Sequence, residues 1–197
     1  MNRWVVTAAM LVAGTGAIPC SNGTTVDMQV CWSKRNAEAA AQLKTVYART
    51  LERFTNAGRS TVPLRSSQSA WIAARDNTCS FEYRLYSGGS IAPQLAVECD
   101  ERANRARSAE LAALSTTLLS AAEPISRTSD VRLSRLLRLY NERLTAPQRA
   151  GLAASQRAWT TYRDSWCAIA GGSCKTNLTN QRISELESAW MGEPFWS

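Results

Sequence analysis

The chain has 197 residues, 23 Lys plus Arg against 16 Asp plus Glu, a formal charge of +7, six Cys, seven Trp and no His. Its length suits one ordinary domain or two small ones, and 45% apolar residues exclude a disordered chain. Without His there is no Ser-His-Asp triad, no Cys-His nucleophile pair and no His-ligated zinc or haem.

The first residues read as an export signal, residues 1–17. Arg3 and the terminal amine give a short positive region. Residues 4–13 are an uncharged, mostly apolar run, and Thr15-Gly16-Ala17 offers small residues to a peptidase. The run is well short of the roughly 20 residues a membrane span needs, and no later stretch could span one. Cleavage after Ala17 removes Arg3 and no acid, so 22 minus 16 leaves +6 and all six Cys. A periplasmic or secreted location is expected, where an even Cys count reads as three disulfides. Cys20 has lipid anchoring as an alternative. Pro19 is a poor approach to a lipidated Cys, and lipidation would strand one of the other five thiols, so a disulfide is expected there.

The remainder reads as helix. Over residues 27–56, Ala39, Leu43, Val46, Tyr47, Leu51 and Phe54 recur every three or four positions and form one apolar face. Thr24, Thr25 and Asp27 suit its N-terminus and Gly58 its end. A second helix is predicted over 62–81. Gly88-Gly89-Ser90 separates it from a third, which has Pro93 in its first turn and runs to about residue 121. Residues 123–130 read as a linker. Leu133, Leu136, Leu137, Tyr140 and Leu144 then mark a fourth helix. Thr145 caps a fifth, with Pro147 in its first turn and Leu152, Trp159 and Tyr162 along it. Gly171-Gly172-Ser173 breaks it, and a sixth spans about 174–190. No alternating strand pattern appears.

The two halves match each other. Leu64, Gln68, Trp71, Arg75, Asp76 and Cys79 have the spacing of Leu152, Gln156, Trp159, Arg163, Asp164 and Cys167. Each set is followed by Gly-Gly-Ser and then by Cys99 or Cys174. Arg107, Glu110 and Leu111 recur as Arg182, Glu185 and Leu186. This is a tandem duplication, so the expected fold is all-α: two three-helix units, 18–122 and 130–192, stapled by disulfides. The repeat makes Cys79–Cys99 and Cys167–Cys174 equivalent bridges and leaves Cys20 with Cys31.

At these residues the chain resembles the LprI-type lysozyme inhibitor family. The likeness rests on Cys20, Cys31 and Tyr47, then Gln-x-x-Trp-x-x-x-Arg-Asp-x-x-Cys, the Gly-Gly-Ser turn, the next Cys and Arg-x-x-Glu-Leu. It covers nearly the whole mature chain, once per unit, although the second unit lacks its own leading Cys pair. The resemblance implies a small helical envelope protein and inhibition of lysozyme. Fold transfers along such a likeness more safely than function.

Leu64, Gln68, Trp71, Arg75 and Cys79 fall on one helix face. They read mainly as structure, with Trp buried, the Arg stem over it and the Cys pinning the helix end. Arg75 and Asp76 are adjacent and should have different partners. Arg75 is expected to meet Glu110, and Arg163 to meet Glu185. The functional alternative is a Trp-Arg contact surface. An enzyme is not expected: the acids are scattered, and no Walker-type Lys follows the Gly-Gly-Ser turns. No cofactor or metal is expected either.

Arg102, Arg105 and Arg107 form one basic cluster, and Arg132, Arg135 and Arg138 line a helix flank. These read as solvated faces or as contacts for an anionic envelope surface; nucleic acid is not an expected partner. Many lysozymes are themselves basic, so an inhibitor with this charge needs a local acidic patch or an inserted loop. The segment 81–98, longer than its counterpart, supplies the candidate partner-binding residues Phe81, Tyr83, Tyr86, Gly88 and Gly89. The expected function is an exported, non-catalytic binding protein that inhibits lysozyme or another wall hydrolase. The alternative is a structural or adaptor module on anionic polymer or lipid.

Overall fold

The computed structural model describes Cys20 and residues 23–116 and 121–190. The expected signal, residues 1–17, lies outside the described residues. Six helices and no named strand make up the described chain: α1 (Thr25–Asn56), α2 (Val62–Leu85), α3 (Ala92–Ala113), α4 (Arg127–Arg143), α5 (Ala146–Ala170) and α6 (Cys174–Ala189). None is long and apolar enough to cross a membrane.

Local chemistry sets the ends. Thr24 and Asp27 form a reciprocal capping box at the start of α1. At its other end Gly58 takes φ +66°, with Gly58 N–H donating to Thr55 and Arg59 N–H to Phe54, a pattern that satisfies two terminal carbonyls. Thr145 and Gln148 form a second capping box at α5, where Pro147 lies in the first turn. Three helix bounds differ from the periodic reading. α2 runs on to Leu85, because its last turn packs on the other unit. α3 stops at Ala113, where Arg53 of α1 donates to the Leu111 carbonyl at 2.9 Å and the chain turns extended at Leu114. α4 begins at Arg127, inside the expected linker, because Ser126 accepts from Ser129 N–H and caps it.

Each unit is built alike: α1 packs on α3 and α3 on α2, while α4 packs on α6 and α6 on α5. Cys20–Cys31, Cys79–Cys99 and Cys167–Cys174 are bonded, the pairing expected from the repeat. In the second unit the Gly-Gly-Ser turn also holds the linker, with Glu123 N–H donating to Gly172 at 2.8 Å.

The units are not beads on a string. α2 and α5 form an extensive contact, and buried side chains of both units join one continuous core. The direction follows from the pairs. Thr78 meets Ser155 at 2.9 Å, and farther along α2 the carbonyls of Arg84 and Leu85 accept from Gln148, at the start of α5. Rising numbers on α2 thus meet falling numbers on α5, so the helices are antiparallel. Under the repeat, Thr78 with Ser155 corresponds to Trp166 with Ser67. Arg107 touches both of those. The two units therefore meet about a pseudo-twofold axis.

Candidate functional site

The repeated Trp-Arg-Asp residues sit as two copies of one local cluster. Trp71 and Trp159 are buried, and the Arg75 and Arg163 guanidinium groups each lie 5.0 Å over their rings. That stacking folds each Arg back along its own helix. Arg75 Nη2 then reaches Asp76 at 2.7 Å and Arg163 Nε reaches Asp164 at 3.0 Å. This corrects two expectations. Adjacent Arg and Asp do pair, because a long side chain bent over an indole can reach a neighbour that an extended one would miss. Arg75 does not pair with Glu110, nor Arg163 with Glu185. The third group differs between copies. Arg75 has Asp100 at 3.7 Å, a carboxyl that burial pushes up; at the equivalent place Lys175 stands 4.0 Å from Asp164.

The glutamates belong instead to two fully buried arginines, Arg107 and Arg182, the first of them expected in a basic surface cluster. Arg107 (0% exposed) donates from Nε to Gln68 at 3.0 Å, from Nη1 to Glu110 at 3.0 Å and to Tyr162 at 3.1 Å, and from Nη2 to Ser67 at 3.4 Å. Its guanidinium lies 4.1 Å over Trp166 of the other unit. Arg182 (1% exposed) repeats the pattern with Gln156 at 3.4 Å, Ser155 at 2.6 Å, Thr78 at 3.3 Å and Glu185 at 3.5 Å. The motif glutamines are thus acceptors for buried cations, and each arginine ties its own unit to the other. Tyr162 O–H also donates to Glu110. Burial, then the Glu110 charge, hold the Tyr162 phenol well above its ordinary value. A signal was present in the repeat: Arg107 and Glu110 recur as Arg182 and Glu185, three apart and so on one helix face.

Between α3 and α6, floored by α2 and α5, lies a cleft of about 360 Å³. Trp71, Ala74 and the Cys79–Cys99 bridge come from the first unit; Trp159, Tyr162 and Leu178 come from the second. The motif tryptophans of both copies therefore line one cavity. Duplication here builds one site from two halves. Glu82, Glu110 and Glu185 face the cleft, with Arg75 and Arg102 at its edges. Glu82 is buried, and Arg102 donates to both its oxygens at 3.1 and 2.9 Å. Desolvation nonetheless raises the Glu82 carboxyl above its ordinary value, the Arg102 charge opposes this, and Glu185 adds to it. Among the described residues, no group of three or more His, Cys, Asp or Glu side chains could hold a metal ion.

The candidate partner-binding residues separate. Phe81 is 1% exposed, edge-on to Tyr140, and Tyr86 O–H donates to the Ala189 carbonyl at 2.6 Å. These two lock the α2 end onto the second unit, Phe81 buried and Tyr86 half-buried. Tyr83, Gly88 and Gly89 remain exposed. The segment 81–98 is longer than its counterpart because α2 and α3 carry extra turns.

The first basic cluster dissolves: Arg107 is buried, Arg102 pairs with Glu82 and Arg105 with Glu101. On α4, Arg132 makes two bonds to Glu187, at 2.8 and 2.9 Å. Arg127, Arg135 and Arg138 are exposed beside Val131.

Comparison with known proteins follows the two units. The profile described as Lysozyme inhibitor LprI matches residues 20–111 and again 113–186. No curated protein matches the sequence. Among solved structures, the crystal structure of an uncharacterized protein from Burkholderia thailandensis superposes with a TM-score of 0.66 at 16% identity. The match covers 84% of this chain and 87% of that one, and at such identity the likeness is one of fold.

Proposed function

We propose that this chain, which belongs to the LprI lysozyme inhibitor family, is an exported, non-catalytic binding protein that inhibits lysozyme or another peptidoglycan-cleaving hydrolase by steric occlusion. Family membership supports the activity. The observation that carries it to a site is the convergence of Trp71 and Trp159, one from each copy, on a single cleft. Three disulfides support a periplasmic or secreted location, since such bonds persist in oxidising compartments.

The cleft carboxylates support binding over chemistry. Glu82 is clamped by Arg102, Glu110 by Arg107 and Tyr162, and Glu185 by Arg182 and Gln181. Glycoside hydrolysis needs one carboxyl held protonated as acid and a second poised across the scissile bond. These three serve as acceptors for structural cations. The test is a turbidity assay of cell-wall lysis with several lysozymes. Inhibition at micromolar protein is expected; none with any lysozyme would refute the reading.

A second reading rests on the α4 face, where Arg127, Arg135 and Arg138 flank exposed Val131. Such a face suits anionic envelope polymer or lipid headgroups. Salt-sensitive sedimentation with anionic vesicles, beside a failed turbidity assay, would favour it.

A further inference from the structure

We propose that the cleft between the units receives an arginine or lysine side chain carried on a protruding loop of the partner protein. The inference rests on the inhibitor reading, to which it adds the chemistry of recognition.

Charge placement is the first reason. The chain is strongly basic overall, so a basic partner is repelled by most of its surface. In the cleft the order of charges is layered. Arg107 and Arg182, 0% and 1% exposed, lie beneath; Glu110 and Glu185, with side chains 18% and 36% exposed, lie above them. At the cleft edges Arg102 is engaged with Glu82 and Arg75 with Asp76, so Glu110 and Glu185 are the lining charges with acceptor capacity to spare. Glu82 also lines the cleft, with both its oxygens held by Arg102.

Acceptor capacity is the second reason. Arg107 and Tyr162 both donate to Glu110 Oε2, and neither donates to its Oε1. Glu185 receives Gln181 on Oε1 and Arg182 at a long 3.5 Å on Oε2. A carboxylate has about four lone-pair sites, so both retain room for a charged donor. A ligand that mainly donates fits this rim better than one that mainly accepts.

Shape is the third reason. The floor is apolar, from Trp71, Ala74, Trp159 and Leu178, and suits the aliphatic stem of Arg or Lys below a charged head. A stacked sugar fits less well, because Trp71 and Trp159 are only 5% and 6% exposed and show too little ring surface for a pyranose face. The volume of about 360 Å³ holds one long side chain with its flanking backbone, not a whole domain face.

The experiment uses the full disulfide-bonded chain. Isotope-labelled protein is titrated with a capped Gly-Arg-Gly peptide, with its citrulline counterpart, and with an N-acetylglucosamine trimer. The arginine peptide is expected to shift the Gln181, Ser184 and Glu185 resonances, and the citrulline peptide to leave them in place. In parallel, chicken-type lysozyme is assayed against wild type, Glu185→Gln and Ser188→Lys. Ser188 is exposed on the cleft rim, so the second variant adds repulsion without removing a described contact. Each is expected to raise the half-inhibitory concentration about tenfold or more. Unchanged inhibition by both folded variants overturns the proposal and leaves the inhibitor reading standing. Cleft shifts with citrulline or the sugar trimer in place of arginine overturn it too. Arginine-specific shifts with no lysozyme inhibited uphold the cleft and remove lysozyme as its partner.

Discussion

Replacing Arg107 by Met tests the account of how the two units are joined. The guanidinium is fully buried, donates to Gln68, Glu110, Tyr162 and Ser67, and lies over Trp166. Met fills much of the volume and removes every donor. Glu110, only 18% exposed, is then left with a charge and no cation beneath it. Removing one partner of a buried ion pair costs about 3–5 kcal/mol. For a protein of this size each kcal/mol moves the midpoint roughly 2–4 °C, so thermal melting followed by circular dichroism, disulfides intact, should fall by roughly 6–20 °C. Arg182→Met serves as the internal comparison. Its Glu185 is 36% exposed and 3.5 Å away, so water takes over more of the lost interaction and a smaller cost, about 2–3 kcal/mol, is expected. Adding Glu110→Gln to Arg107→Met should recover about 1–3 kcal/mol, because the amide keeps an acceptor for Tyr162 and sheds the charge. The reasoning fails if Arg107→Met costs no more than the exposed control Arg138→Met, or if the double variant recovers nothing.

Three further outcomes follow from other parts of the molecule. Burial raises the Glu82 carboxyl, so the folded state holds its proton more tightly than the unfolded chain; stability therefore falls as pH rises from the unfolded carboxyl range through the raised folded value. Glu82→Gln should flatten that decline in denaturant midpoints measured from pH 4 to 7, and an unchanged slope would refute it. Chain entropy ranks the repeat-related bridges: closing 20 residues restrains the unfolded chain by about 3.3 kcal/mol and closing seven by about 2.4, so losing Cys79–Cys99 should cost more than losing Cys167–Cys174 in urea titrations of the paired Ser variants. Gly151 lies inside α5, and a Cβ there would meet Phe81 and Arg84 at ordinary contact distances of 3.5 and 3.6 Å. Gly151→Ala should thus stabilise by about 0.5–1 kcal/mol, read as a raised midpoint; a lowered one would mean that the α2–α5 contact is tighter than described.

Charged side chains were the least legible part of the molecule. From the repeat, Arg75 is expected to meet Glu110 and Arg163 to meet Glu185. Stacking over Trp71 and Trp159 turned them toward Asp76 and Asp164 instead. A guanidinium on a long stem can choose among several carboxylates, and indole geometry decides which. Arg107 looked like part of a solvated cluster with Arg102 and Arg105, yet it is the most deeply buried cation of the first unit. Its burial is affordable only because Trp166, Tyr162 and Ser67 arrive from α5 and α2 to meet it, and no local pattern on α3 announces them.

What the sequence determined by itself is what short-range physics controls. Apolar spacing of three and four set six helices, caps and glycines set most of their ends, and an internal repeat of unequal copies set two units and three bridges. The tertiary structure decided how the copies face each other. Either unit shows several half-apolar faces, and periodicity alone does not say which one meets its twin. The antiparallel contact of α2 with α5 does. It buries Phe81, turns Tyr86 inward, draws Arg107 and Arg182 out of water and brings both motif tryptophans to one cleft. Those outcomes depend on side chains far apart in the chain meeting in space, and only the packed molecule specifies that meeting.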